Sequence, residues 1–247
     1  MNAKNIKISV VIAAAGKGTR AKLPYPKCLF SIQGKPILGT IMDNTFSLDR
    51  KPTLIVSKEG LPHIKNFLIQ SNRKADILIQ ENQIGMGNAV LQISKKRKDM
   101  NEDILLSWGD LPFIPQSIFE DLCAFHIKNK NDFSIATYHS KNAYTYVIRD
   151  DCNNLKEVIE SKEMYEKNLL PLESERDIGV FVFKKDLLLD FLDKELPDKY
   201  GKVSNEHGFL YIIKHLVASG YKVESLPVKE EMSEVSFNSF EDIKDFI

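Results

Sequence analysis

Six short runs rich in Val, Ile and Leu recur near residues 7–13, 53–57, 76–80, 104–108, 133–138 and 178–183 of a 247-residue chain, as strands buried on both faces would. Between the first four lie segments with helical spacing. Leu61, Ile64, Phe67 and Leu68 make one apolar helix face, and Ala89, Leu91 and Ile93 belong to a second segment that opens after a glycine-rich turn. Strand, loop and helix repeating in this way predicts an α/β fold, an open and mostly parallel twisted sheet between helical layers (three-layer α/β/α, Rossmann-like). Ligands in such sheets bind beyond the carboxyl ends of the strands. The length suits one domain better than two.

From about residue 139 the rhythm turns to shorter, more polar pieces, and "KNAYTYVIRDDCNNLKEVIESKE" reads as a hairpin with "DDCNN" as its turn. This predicts a β-rich second half, 139–247, lying over the sheet's open edge, after a first half, 1–138. The stretch 205–219 reads as a helix with Asn205 as N-cap and Gly220 as its stop. "KKRK" at 95–98 closes a predicted helix, where its charge suits the dipole, and reads as a solvated face. Lys plus Arg and Asp plus Glu number 34 each, so no net field draws the protein to nucleic acid or to an anionic membrane, and any phosphate site must be local. The apolar start is too short to span a bilayer and reads as the first strand. Three scattered cysteines without a CxxC argue against disulfides or zinc and fit a reducing cytoplasm.

The first strand runs into Gly16-Lys17-Gly18-Thr19-Arg20, a loop whose backbone amides could cradle an anion. A P-loop is excluded because Lys27 is followed by Cys28 and no glycine precedes it. A dinucleotide fingerprint is excluded because Ala21 stands at its third glycine. What remains is G-x-G-T-R-x6-K with Pro26 before the lysine. This pattern resembles the sugar-1-phosphate nucleotidyltransferases, and most closely the uridylyltransferase domain of bacterial N-acetylglucosamine-1-phosphate uridylyltransferase. The resemblance implies that the loop, from Ala14 and Ala15 through Gly16, Gly18 and Thr19, wraps a nucleoside triphosphate, with Arg20 and Lys27 on its phosphates.

Four more stretches carry the resemblance. "QENQIGMGNAV" (80–90) matches the family's base-reading loop at Gln80 and Gly85, implying uridine, although Met86 and Asn88 replace a threonine and a histidine. "LLSWGDLPFI" (105–114) places Asp110 at a strand's carboxyl end, where the resemblance implies a ligand to Mg²⁺. Trp108 beside it reads as packing. "VIESKE" and "ESERDIGVFVF" put Glu160 and Asp177 where the family's glutamate and asparagine meet the sugar, and Thr145 stands in the place of a glycine upstream. "NEHGFLYI" (205–212) aligns Asn205 with the second metal ligand, with Phe209 and Lys214 replacing acidic residues. The tail "MSEVSFNSFEDIKDF" resembles the end of the family's catalytic domain, so the acetyltransferase activity of the bifunctional member is not expected of this chain.

Taken together, the resemblance implies in-line attack of a sugar 1-phosphate on the α-phosphorus of UTP with Mg²⁺ bridging and pyrophosphate leaving, in a single domain that is a monomer or dimer. Halves 1–138 and 139–247 would bind nucleotide and sugar, respectively. No Ser/His or Cys/His pair is needed, because a phosphate monoester is already a nucleophile at neutral pH. The opening loop is shared more widely, so a cytidylyltransferase acting on a non-sugar phosphate and a non-catalytic nucleotide-binding homologue are the alternatives.

Overall fold

The computed structural model describes residues 7–16, 22–141, 143–161, 173–229 and 235–246. In chain order the elements are β1 (Ile8–Ala14), the short pair β2 (Ser31–Ile32) and β3 (Lys35–Pro36), α1 (Ile37–Asn44), β4 (Thr53–Ser57), α2 (Leu61–Gln70), β5 (Asp76–Gln80), α3 (Met86–Leu91), β6 (Asp103–Trp108), α4 (Gln116–Asn129) and β7 (Phe133–Ser140). They continue with β8 (Thr145–Arg149), β9 (Leu155–Glu160), β10 (Ser174–Lys184), α5 (Lys185–Asp193), α6 (Ile212–Ala218) and β11 (Val223–Pro227). Among the described residues, seven strands form one sheet in the order β11-β7-β10-β6-β1-β4-β5.

Side-chain alternation sorts the core into two slabs. Val10 and Ile12 of β1 face one slab with Leu38, Ile64 and Phe119 of α1, α2 and α4, while Val11 and Ala13 face the other with Val90, Leu188 and Ile213 of α3, α5 and α6. The sheet is therefore covered on both sides, as continuously apolar strands require. Each fully buried Val, Leu or Ile adds about 1.5–3 kcal/mol. The six predicted strands are all present.

The second half does not lie over an edge. β10 runs antiparallel between β6 and β7. Its apolar residues 178–183 are all sealed, which fits a central position and not a rim. The hairpin β8–β9 turns at residues 150–154 as expected, but it packs on a face of the sheet, with Val147, Leu155 and Val158 in the slab under α6. Arg149 ties it to β10 through Glu175 at 2.7 and 2.9 Å. Of the described strands of the second half, only β11 occupies an edge of this sheet, parallel to β7.

The helix expected at 205–219 begins at Ile212 instead. Asn205 adopts φ +52° and donates its N–H to Gly201 O at 2.8 Å, so it lies in a turn and caps nothing. The predicted end holds, with Gly220 at φ +80° and the Tyr221 N–H on Leu216 O. The segment with "KKRK" is a 3-10 turn, Gln92–Asp99, broken at Lys96. Its charges are more engaged than a solvated face would be: Lys96 pairs with Asp76, and Arg97 with Asp186 and Asp190.

Candidate active site

The carboxyl ends of β1, β5 and β6 and the amino-terminal part of antiparallel β10 open on one rim. β1 delivers Ala14, Ala15 and Gly16 there, with Ala14 and Ala15 buried. Gly18, Thr19 and Arg20 lie outside the described residues. Lys27 opens a single 3-10 turn, Lys27–Leu29, directly after Pro26. Asp110 follows Gly109, whose N–H donates to Ala13 O at 2.9 Å and ties the end of β6 to that of β1. The Lys27 ammonium pairs with Asp110 Oδ2, each side chain 17% exposed, and also donates to Asn238 Oδ1 at 3.3 Å.

Asn238 comes from the tail. Phe237 beside it is fully buried, donates its N–H to Asp110 O at 2.8 Å and packs its ring 4.8 Å from that of Phe30. Asn238 Nδ2 donates to Ser236 Oγ at 2.9 Å, which leaves Oδ1 toward Lys27. A carboxylate oxygen and an amide oxygen thus converge on one cation. Mg²⁺ takes hard oxygens, one or two from protein and the remainder from water and phosphate, so this donor set fits it. Among the described residues no hydrogen bond joins Asn205, which is exposed, to Lys27 or Asp110. The structure brings Asn238 to Asp110 where the sequence pointed to Asn205. An asparagine ahead of a helix and one in an irregular tail carry the same chemistry, and only the Phe237 anchor separates them.

At the next strand end, Gln80 is buried at 3% exposure. Its Nε2 donates to Gly85 O and to Asn88 Oδ1, both at 3.0 Å. Gln83 reaches back to Ala15 O and joins this loop to the residues that follow β1. The loop is also gripped from behind: Gly87 N–H donates to His207 O at 3.0 Å and His207 N–H to Ile84 O at 2.6 Å. Gly85 sits at φ +118°, and a Cβ there would meet His207 O at 2.3 Å. The sequence offered no sign that 205–208 backs this loop. Burial, then the Lys199 charge, lowers the His207 imidazole to about 4.

On the far side of Asp110, Thr145 and Asp177 meet each other. The Thr145 hydroxyl donates to Asp177 Oδ1 at 2.6 Å and Gly179 N–H to Oδ2 at 2.9 Å, with both side chains buried. Burial pushes the Asp177 carboxyl above its usual range. Glu160 is the β-ladder partner of Thr145, so all three residues expected at the second substrate stand together. Arg176, unremarked in the sequence, lies with its guanidinium 3.5 Å over the Tyr144 ring. Trp108 packs on Phe181 and Phe209, as expected of a core residue. A serine, a histidine and an acid do line up elsewhere, His126 contacting Ser134 at 2.9 Å and Asp103 at 3.3 Å, but at the amino ends of the strands with Ser134 sealed.

Residues 10–174 match the family model described as the MobA-like NTP transferase domain. The chain belongs to this family. The MobA-like domain match takes in Lys27, Gln80, Asp110, Thr145 and Glu160, while Asp177 and Asn238 lie beyond it. Among curated relatives, the "Bifunctional protein GlmU" of Thermodesulfovibrio yellowstonii is 27% identical over 234 residues, 94% of this chain and 50% of its own length. That of Buchnera aphidicola is 34% identical over 186 residues, 73% of this chain and 38% of the relative. The chain therefore spans half or less of the length of these relatives. A crystal structure described as a putative glucose-1-phosphate thymidylyltransferase from Bacillus anthracis, in complex with sucrose, superposes with a TM-score of 0.72 at 14% identity, covering 90% of this chain and 87% of that one. It shows a shared fold, the Rossmann-like α/β type.

Proposed function

We infer that the protein is a nucleotidyltransferase that joins a nucleoside triphosphate, UTP in the first instance, to a sugar 1-phosphate and releases pyrophosphate. One observation carries the reading: Lys27, Asp110 and Asn238 converge where the glycine-rich loop leaves β1. An ammonium held between two oxygens is poised to exchange them for phosphate oxygens when a triphosphate enters. Asp110 and Asn238 would then hold Mg²⁺, which supplies charge neutralisation at the α-phosphate. Arg20, Gly18 and Thr19 complete the phosphate loop by resemblance, and Gln80 and Gly85 address the base. Thr145, Glu160 and Asp177 address the acceptor from the second half of the chain. The acceptor's own phosphate is the nucleophile, so the chain's tasks are alignment and charge balance. The enzyme inferred is cytoplasmic and acts as a monomer or dimer; among the described residues no helix is long and apolar enough to cross a membrane.

The Thr145–Asp177 contact favours a second reading of the acceptor, as a phosphate outside the sugars such as a polyol phosphate, because these two groups satisfy each other. A pyrophosphate-release screen of five nucleoside triphosphates against sugar 1-phosphates and polyol phosphates, with and without Mg²⁺, tests both. Release that depends on a sugar 1-phosphate and on Mg²⁺ supports the first. No release with any pair refutes catalysis.

A further inference from the structure

A carboxamide carries two N–H donors on nitrogen and an acceptor oxygen. In Gln80 both hydrogens of Nε2 are taken inside the protein, by Gly85 O and Asn88 Oδ1. Among the described residues no donor reaches Gln80 Oε1, and this oxygen is not one of the sealed, partnerless atoms, so at the last residue of β5 it keeps a small opening to its surroundings. The sense of the amide is fixed. Turning it over would set Oε1 against the Gly85 carbonyl, a backbone group that cannot rotate to suit, and against Asn88 Oδ1. The Asn88 backbone is held in the first turn of α3, where its main-chain carbonyl accepts from Gln92 Nε2 at 3.0 Å.

We propose that Asn88 is a specificity-determining positioning residue: by locking Gln80 with its oxygen outward, it selects nucleobases whose pairing edge carries a ring N–H over those with a ring-nitrogen acceptor there. Uracil, thymine and guanine belong to the first class, cytosine and adenine to the second. A lone oxygen meets a ring N–H as a hydrogen bond and a ring-nitrogen lone pair as a repulsion. The inference rests on the nucleotide-binding reading above and adds to it the residue that sets base choice.

The test measures calorimetric dissociation constants for UTP, CTP and 3-methyl-UTP with Mg²⁺. The wild-type protein should bind UTP at least about tenfold tighter than either of the others, because 3-methyl-UTP carries a methyl group in place of the ring hydrogen and CTP carries a lone pair there. Asn88→Ala frees one of the two nitrogen hydrogens and should shrink the UTP-to-CTP ratio about fivefold or more. Asn88→Asp keeps an acceptor at that position and should keep the wild-type ratio. Equal wild-type binding of UTP and 3-methyl-UTP, or an unchanged ratio in Asn88→Ala, overturns the lock while leaving the enzyme reading intact. Failure of the wild-type protein to bind any nucleotide overturns both.

Discussion

Gly87→Ala puts the close approach of residues 205–208 to the base loop under direct test. A Cβ built on Gly87 would stand 2.0 Å from Gly208 O and 2.7 and 2.8 Å from the His207 ring, whereas real Cβ contacts essentially never fall below 3.0 Å. The missing 1.0 Å, 3.0 minus 2.0, must come from backbone, because Gly208 is itself held by its N–H to Lys199 O at 2.9 Å. Moving the segment away breaks Gly87 N–H to His207 O and His207 N–H to Ile84 O, worth about 1 kcal/mol each. Overpacking adds about 1–3 kcal/mol, and alanine's better helix propensity returns up to about 1 kcal/mol. The net loss is about 2–5 kcal/mol, or roughly 4–20 °C in Tm for a chain of this length. Gly208→Ala is the matched control, since its Cβ would meet nothing nearer than Tyr211 Cδ1 at 3.3 Å, and it should stay within about 1 kcal/mol of the wild type. Thermal melts of the two variants decide the matter. If they melt together, the contact between segment and loop does not hold the fold as argued.

The other expectations concern the phosphate end and acid stability. Lys27→Ala should raise the nucleotide KM and lower kcat together, with kcat/KM down about 100-fold, and a change confined to the sugar's KM would take Lys27 off the triphosphate. Asn238→Ala should cut Mg²⁺-dependent turnover about 100-fold or more while Asn205→Ala leaves it near wild type; the reverse ranking would return the metal to Asn205. His207 titrates lower when folded, about 4 against 6.5, so its stabilising contribution is full above pH 6.5 and disappears as pH falls toward 4. The loss amounts to about 3 kcal/mol. In urea titrations His207→Gln should lack that acid limb, and parallel pH profiles for variant and wild type would refute it.

The strands were legible because burial on both faces leaves a clear signature: "ISVVIAA" and "TLIVS" are buried at every position, and their only polar residues are the small Ser9, Thr53 and Ser57. Position within the sheet was not. Nothing local in "DIGVFVF" distinguishes a strand slipped between β6 and β7 from one laid at a rim, since only long-range register decides it. At the site, Lys27 and Asp110 announced themselves by spacing to a glycine loop and by a strand end. Asn238 did not, because its role depends on Phe237 finding a pocket against Phe30, more than 200 positions earlier in the chain. Asn205 stands out because "NEHGFLYI" resembles the family's second metal-ligand stretch; it also has the form of a cap, and the bonds of nearby His207 to Ile84 and Gly87 hold the segment out of the helix that this form suggests.

The aromatic anchor at Phe237 ties chemistry to biosynthesis. Asn238 lies 211 positions beyond the lysine it meets, so a nascent chain that has completed β1, β6 and the whole glycine loop still lacks one oxygen of the proposed cation site. On the proposed reading, ribosome-bound intermediates would stay inert toward nucleotide until Phe237 emerges, docks against Phe30 and carries Asn238 to Lys27.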